Sequence, residues 1–373
     1  MSWRRRPPAI IGGLVAFCIS GPALAAPRGQ TGPSPGSGEA IYRAACAACH
    51  GADGRGAPET TIGFDKPDTF PDFSACDQTT PELDVDWKAT IRDGGQARGF
   101  SRIMPAFGDA LTSADVDAVV AYLRGLCREP GWPRGELNLP RPLLTEKAFP
   151  ENEAVVSSSF AASAEHDVTA TVVYERRIGV ANQVEVSVPF SSLQDETGVG
   201  DISIGFKRAL FSDLRRGSIF AVQGEAVLPT GDASRGLGSG VTVFEVFAAY
   251  GQLLPSDAFL QLQGGTEQPV DTSVAPRAVF ARAALGKSFR QDAGSGRMWS
   301  PMVELVIDRD FATDARTSVD VVPEIQMTLS RRQHVRANVG VQLPVANTEG
   351  RGVQVLFYVL WDWFDGRLFA GWR

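Results

Sequence analysis

Val335-Arg336-Ala337-Asn338-Val339-Gly340-Val341-Gln342-Leu343 alternates apolar and polar residues without a break. A period of two places successive side chains on opposite faces of an extended strand, so this stretch predicts β structure with one apolar face. The same alternation recurs upstream. Val184, Val186, Val188 and Phe190 oppose Glu185 and Ser187; Ile202, Ile204 and Phe206 oppose Ser203, Gly205 and Lys207; Ile325, Met327 and Leu329 oppose Gln326, Thr328 and Ser330. Clusters of Gly, Asp, Ser and Asn separate these runs, as turns do. The pattern holds from about residue 153 onward and predicts an all-β antiparallel half.

Two architectures accommodate such a half, a soluble sandwich and a transmembrane barrel. A sandwich turns one distinctly charged face to water. Here the polar side is Gly, Ser, Gln and Thr with scattered Arg and Glu, suited to a wet lumen, and the other side is Val, Leu, Ile, Phe and Ala, suited to lipid. Runs such as 217–229, 240–253, 276–289 and 351–364 exceed the usual five or six residues of soluble strands and meet the ~9–11 that a tilted membrane strand needs. Strands are expected near 154–163, 167–178, 182–190, 200–210, 217–229, 240–253, 257–266, 276–289, 299–309, 318–330, 334–345 and 351–364. Twelve is an even number, as single-chain bacterial barrels require. A register from 167 through 367–372 also gives twelve but reverses the loop polarity, so the first is preferred. It puts short turns and long loops at opposite ends. Aromatics near strand ends, Tyr250, Trp299, Tyr358, Trp361 and Phe364 among them, fit interfacial girdles.

The N-terminal part reads differently. Arg4 to Arg6, an apolar run from Ala9 to Ile19 and Ala23-Leu24-Ala25 form a signal peptide over residues 1–25, so the mature chain is expected to be exported. Residues 26–37 are a Gly-, Pro- and Ser-rich flexible leader. Helical character follows over Glu39–His50 and again over Ser113–Leu126, the latter opened by Thr112/Ser113 with Asp115 in its first turn. Between the halves, residues 128–152 carry Pro130, Pro133, Pro140, Pro142 and Pro150 and predict a stiff, extended linker.

Cys46-Ala47-Ala48-Cys49-His50 is a C-x-x-C-H signature for covalent haem attachment, with His50 as an axial iron ligand. A zinc half-site or a redox C-x-x-C is the alternative; export favours haem, as does the turn-forming run Gly51-Ala52-Asp53-Gly54-Arg55-Gly56. Within residues 37–127 His50 is the only histidine and Met104 the only methionine. Met104-Pro105, in a Gly-rich loop before the second helix, is therefore the candidate sixth ligand; an ordinary core methionine is the alternative. His/Met ligation favours ferrous iron and suits electron transfer.

On these motifs, residues 38–127 resemble a class I c-type cytochrome. The resemblance covers roughly a quarter of the chain and implies one covalent haem c, an all-α fold and a final helix crossing the first. Val116, Val119, Val120, Leu123 and Leu126 supply that helix's apolar face, and Tyr122 matches the aromatic at the crossing. It further implies that Gly95, Arg98, Phe100, Pro105 and Phe107 surround the haem, with Gly54 in the turn beneath it. Cys76 and Cys127 are either a disulfide, which an oxidising compartment permits, or two partly buried thiols.

The expected whole is a cytochrome c domain, 38–127, followed by an outer-membrane β-barrel, 153–373. It is similar to the fused cytochrome–porin proteins of iron-oxidising bacteria, and the β half resembles outer-membrane barrels of the phenol-degradation type. A folded domain of ~90 residues has a radius of gyration near ~12 Å, too large for a twelve-stranded lumen. The cytochrome is therefore expected at the periplasmic mouth, exchanging electrons with a periplasmic redox protein or a small redox shuttle, the barrel embedded in outer-membrane lipid. The alternatives are a barrel transporter for a small solute, an aromatic one included, with an accessory cytochrome, and a soluble periplasmic cytochrome subunit of an oxidoreductase with a β-sandwich docking domain. The net charge of −7 argues against nucleic acid as a partner, and no catalytic triad, phosphate loop or carboxylate pair marks an enzyme.

Overall fold

A computed structural model describes residues 37–67, 70–161, 168–193 and 196–362. The signal peptide, most of the leader, the alternative last strand and Phe364 lie outside the described residues. Among the described residues six α-helices precede the strands: α1 Gly38–Ala45, α2 Ala47–His50, α3 Glu59–Ile62, α4 Cys76–Thr79, α5 Asp84–Asp93 and α6 Ser113–Arg124. The helix expected over Glu39–His50 is two pieces, broken at Cys46. Helix α6 begins with a reciprocal cap: Thr112 Oγ1 accepts from the Asp115 N–H at 3.2 Å, and Asp115 Oδ2 accepts from the Thr112 N–H at 3.0 Å.

Helices α1 and α6 cross at close range. A methyl group on Gly38 would lie 1.9 Å from the Ala118 carbonyl oxygen, so only glycine permits this approach. Tyr42 and Tyr122 meet at the crossing with ring centroids 5.1 Å apart. Val116, Val119, Val120 and Leu123 of α6 close a core with Tyr42, Phe73 and Ile91.

Helix α5 has no counterpart in the periodicity. Val85, Trp87, Ala89 and Ile91 alternate with Asp86, Lys88, Thr90 and Arg92, a strand-like period of two. The helix wins because polar residues on two sides of it find partners: Asp86 binds Arg98, and Arg92 binds Asp93 and the barrel turn at Ser295.

Twelve long strands follow: β1 Glu153–Ala161, β2 Val168–Ile178, β3 Asn182–Leu193, β4 Ile202–Asp213, β5 Ser218–Leu228, β6 Val243–Leu253, β7 Ala258–Pro269, β8 Ala278–Lys287, β9 Met298–Asp310, β10 Ser318–Thr328, β11 Val335–Ala346 and β12 Gln354–Asp362. Two short strands, Glu196–Val199 and Phe289–Arg290, flank them. Each long strand pairs antiparallel with its neighbours in sequence, and β1 pairs with β12 from Glu153↔Asp362 to Ala161↔Gln354, which closes the sheet into a barrel. Closure excludes the sandwich and leaves no long free edge. The strand positions follow the preferred register.

The outward face is apolar. Ile204, Phe206, Leu210, Val246 and Leu285 are each half or more exposed, and Tyr174, Phe244, Val303 and Val339 nearly so. In a closed barrel such a face is the surface that meets lipid. Among the described residues no helix is long and apolar enough to cross a membrane.

The lumen is filled. Residues 137–151, read from their prolines as part of a stiff spacer, run inside the barrel in their second-half course, and side chains from around its circumference converge on them. Glu304 of β9 accepts the backbone N–H groups of Leu143, Leu144 and Thr145 at 2.9, 2.9 and 2.7 Å, and the Thr145 hydroxyl at 2.5 Å. Glu324 of β10 accepts Leu143 N–H at 3.0 Å, Gln261 of β7 donates to the Pro140 carbonyl, Arg282 of β8 to that of Leu144, and Tyr358 of β12 to that of Arg141. The Arg141 guanidinium lies between Glu153 of β1 and Glu175 of β2, at 2.7 and 2.8 Å. Leu137, Ala148 and Phe149 pack on inward Ile219, Ala221, Phe247, Ala249 and Phe280. The polar side of the strands thus meets a protein segment rather than an open channel.

Replacing Glu304 strands three donors at once, the N–H groups of Leu144 and Thr145 and the Thr145 hydroxyl, while the Leu143 N–H keeps Glu324. At ~1 kcal/mol or more for each, Glu304→Ala is expected to destabilise the barrel by about 3 kcal/mol. The temperature at which its compact migration in detergent gels is lost should fall, and an unchanged transition would refute this role.

Candidate functional site

The break at Cys46 turns the chain so that α1 and α2 present Cys46, Cys49 and His50 to one cavity. The His50 N–H donates to the Cys46 carbonyl at 2.9 Å, and the Tyr42 hydroxyl donates to the Gly51 carbonyl at 2.7 Å. Gly51 has φ 76°, and the returning strand of the loop ties Gly56 N–H to the His50 carbonyl at 2.8 Å and Ala57 N–H to that of Cys49 at 2.9 Å. Burial and the neighbouring Cys46 both raise the pKa of Tyr42, keeping its hydroxyl a donor.

The cavity has a volume of about 360 Å³. Cys46, Cys49 and His50 line it from one segment, and Arg98, Met104, Pro105 and Phe107 from another. Gly54 is not in its wall. With φ 82° it stands behind Phe73, where an added methyl would lie 2.6 Å from Leu126 Cδ1 and 3.2 Å from Phe73 Cβ. Its side of the loop supports the ring rather than touching the cavity.

Aromatic residues that sequence reasoning passed over complete the wall. Phe70 stacks on the His50 ring with centroids 5.0 Å apart and planes 23° apart; Phe73 lies 5.2 Å from the same ring, and Trp87 5.5 Å from Phe73. The signal was present in Phe64, Phe70 and Phe73, interleaved with Pro67 and Pro71 close behind the C-x-x-C-H. Arg124 fixes Trp87 from the other side, its guanidinium 3.9 Å from the ring centre.

Several features fit a porphyrin. Burial lowers the His50 pKa to about 4, so the ring is neutral and has an electron pair to offer. Its Nδ1 is buried with no hydrogen-bond partner among the described residues. Cys46 and Cys49 are free thiols, the first pushed up to about 11 by burial, whereas Cys76 and Cys127 are joined in a disulfide. The wall is largely aromatic and aliphatic. Arg98, 1% exposed, pairs with buried Asp86 at 2.8 Å; desolvation raises the Asp86 pKa against the pull of that guanidinium.

A family model described as "Cytochrome C oxidase, cbb3-type, subunit III" matches residues 33–123. The N-terminal part of the chain carries a cytochrome c domain. Such a domain implies covalently bound haem c. No curated protein matches the chain. Among solved structures, the chain is similar to an outer membrane channel from Pseudomonas putida F1 at 14% identity and TM-score 0.41, over 60% of this chain and 100% of that one. It is also similar to KdgM porin in complex with disordered oligogalacturonate at 6% identity and TM-score 0.39, over 57% and 99%, and to NanC porin at 7% and 0.40, over 56% and 98%. The barrel itself is established by its strand pairing and apolar exterior.

The Cys76–Cys127 bridge spans 51 residues and ties α4 to the end of α6, enclosing the loop that carries Met104. Closing a loop of that length contributes about 4 kcal/mol. Cys127→Ser is expected to lower the stability of the cytochrome domain by about that amount, measured as loss of helical circular dichroism in denaturant, with the barrel transition unmoved.

Proposed function

We propose that the chain is an electron carrier anchored in a bacterial outer membrane, with one haem c held by Cys46 and Cys49 and ligated by His50 and Met104. The observation that carries this reading is the shared cavity: both thiols, a neutral buried imidazole and the sole thioether of the domain line the same apolar space. When bound, the haem supplies a one-electron couple between ferric and ferrous iron. Cys46 and Cys49 would attach the group, His50 and Met104 would offer a nitrogen and a sulfur to its iron, and the aromatic and aliphatic wall would exclude water. With that donor pair the group would favour the ferrous state at a raised potential, which suits electron exchange rather than oxygen activation.

The short-turn end of the barrel carries the cytochrome domain, through contacts of Arg92, Arg98 and Gly99 with the turns around Gly294 and Arg332. Short turns face the periplasm in bacterial barrels, so the haem domain faces the periplasm and meets a periplasmic redox protein or a small redox shuttle there. One haem at that end cannot bridge ~30 Å of hydrocarbon alone. Residues 137–151 occupy the lumen, which favours an anchor over an open pore. The fourteen acidic against eight basic side chains over residues 38–127 favour a basic partner surface.

Two measurements test this. Met104→Ala is expected to keep covalent haem while losing the sulfur-to-iron charge-transfer band and shifting to a lower midpoint potential; a retained band would reject Met104 as ligand. In planar bilayers the parent chain is expected to show no steady conductance, and porin-sized steps would reject the anchor.

A further inference from the structure

Two barrel turns grip the loop that carries Met104. The first, residues 291–296, lies on α5 so closely that a methyl on Gly294, whose φ is +102°, would come within 2.9 Å of Val85 Cγ2. The second, residues 330–334, delivers Arg332, which is 4% exposed. Arg332 Nε and Nη2 both donate to the Gly99 carbonyl, at 3.2 and 3.1 Å, and its guanidinium lies 4.8 Å from the centre of the Phe100 ring. The Arg332 carbonyl in turn accepts from Arg98 Nη2 at 3.3 Å, and Arg98 Nη1 donates to the Gly294 carbonyl at 2.5 Å. Gln333 Nε2 joins the two turns by donating to the carbonyls of Gly294 and Gly296, at 3.2 and 2.8 Å.

From Gly99 the hold passes to the candidate ligand in two steps. Gly99 turns with φ 74° into Phe100, whose N–H donates to the Gly95 carbonyl at 2.8 Å, and the Gly95 N–H donates to the Met104 carbonyl at 3.1 Å. Gly95 leaves no slack, since an added methyl would lie 2.4 Å from the Ser101 carbonyl oxygen and 3.1 Å from Met104 Cβ. Arg98, Phe100 and Met104 all line the cavity.

We propose that Arg332 is a positioning residue for the Met104 loop, so that the docked barrel, and not the cytochrome domain alone, holds the thioether at the iron. This rests on Met104 being the axial ligand. A thioether is a weak neutral donor, and its occupancy depends on the stiffness of the loop that presents it. A forked guanidinium on one carbonyl, stacked on the adjacent ring, restrains two consecutive residues of that loop.

The test uses the full-length haem-loaded protein in detergent and follows displacement of the sulfur-to-iron band by added imidazole. Arg332→Ala is expected to let imidazole compete about tenfold more effectively, as loss of a charged, buried hydrogen-bonding group predicts, and to lower the midpoint potential. Covalent haem and compact gel migration should match the parent. Arg332→Lys keeps the charge, and hence the field at the site, but not the fork or the flat stack; its band should yield to imidazole at concentrations between those for parent and alanine variant. A change in potential with parent-like imidazole competition in both variants would be a field effect and would overturn the proposal. Should the alanine variant not assemble, the lysine variant decides alone: easier displacement supports the proposal and parent-like displacement overturns it. Met104→Ala separates the two readings. Band loss there with parent-like Arg332 variants defeats only this inference, whereas a persisting band defeats the ligand assignment and this inference together.

Discussion

A segment without secondary structure inside a barrel must find a partner for every buried peptide group. That constraint shapes the molecule. Residues 137–151 have no ladder of their own, so the strands supply acceptors and donors to them: Glu304 and Glu324 for the N–H groups of 143–145, and Gln261, Arg282, Gln326 and Tyr358 for the carbonyls of 140, 144 and 141. A lumen lined by apolar side chains would leave these groups orphaned. The inward carboxylates therefore belong to the fold as much as to any channel chemistry.

The charges follow the same logic. Arg141 balances Glu153 and Glu175, and Lys147 pairs with Glu151 at a site where both are almost wholly buried. Such pairs contribute little net stability over apolar packing, because desolvation offsets most of the attraction. They do tie the segment to particular strands. Arg141 is held against β1 and β2, and the chain ahead of it runs back to Arg134, which pairs with Asp84 of α5 at 2.7 Å. The docking of the haem domain on the turns at Gly294 and Arg332 is thus set from inside the barrel as well as at its rim.

Much of this plan was legible in sequence, for physical reasons. Lipid outside and a closed ladder inside impose a period of two, so runs such as Val335–Leu343 marked strands and their ends. C-x-x-C-H is local, and so was readable without tertiary information. Helix α5 was not, because Val85, Trp87, Ala89 and Ile91 alternate as a strand would, and only the buried Asp86–Arg98 pair and the barrel turn make the helix profitable. The filled lumen escaped as well. Pro140, Pro142 and Pro150 suit an exposed spacer and an ordered luminal strand of chain equally, and Glu304 reads as one scattered lumen charge until its three donors are known. Gly54 shows the finer limit: its turn was evident, but whether it faces the cavity or backs Phe73 depends on Leu126, more than seventy positions away.

Chain order gives the filled lumen a further meaning. The luminal stretch precedes β1, yet the ring around it shuts only when β12, close to the end of the described chain, pairs with β1. Both ends of the stretch lie at one rim: it comes in beside the cytochrome domain and returns to the same side, where β1 starts at Glu153 opposite Asp362. It is thus a loop tucked in through one mouth and tethered on both sides to the rim it entered by, and no folded domain has to pass through the ring.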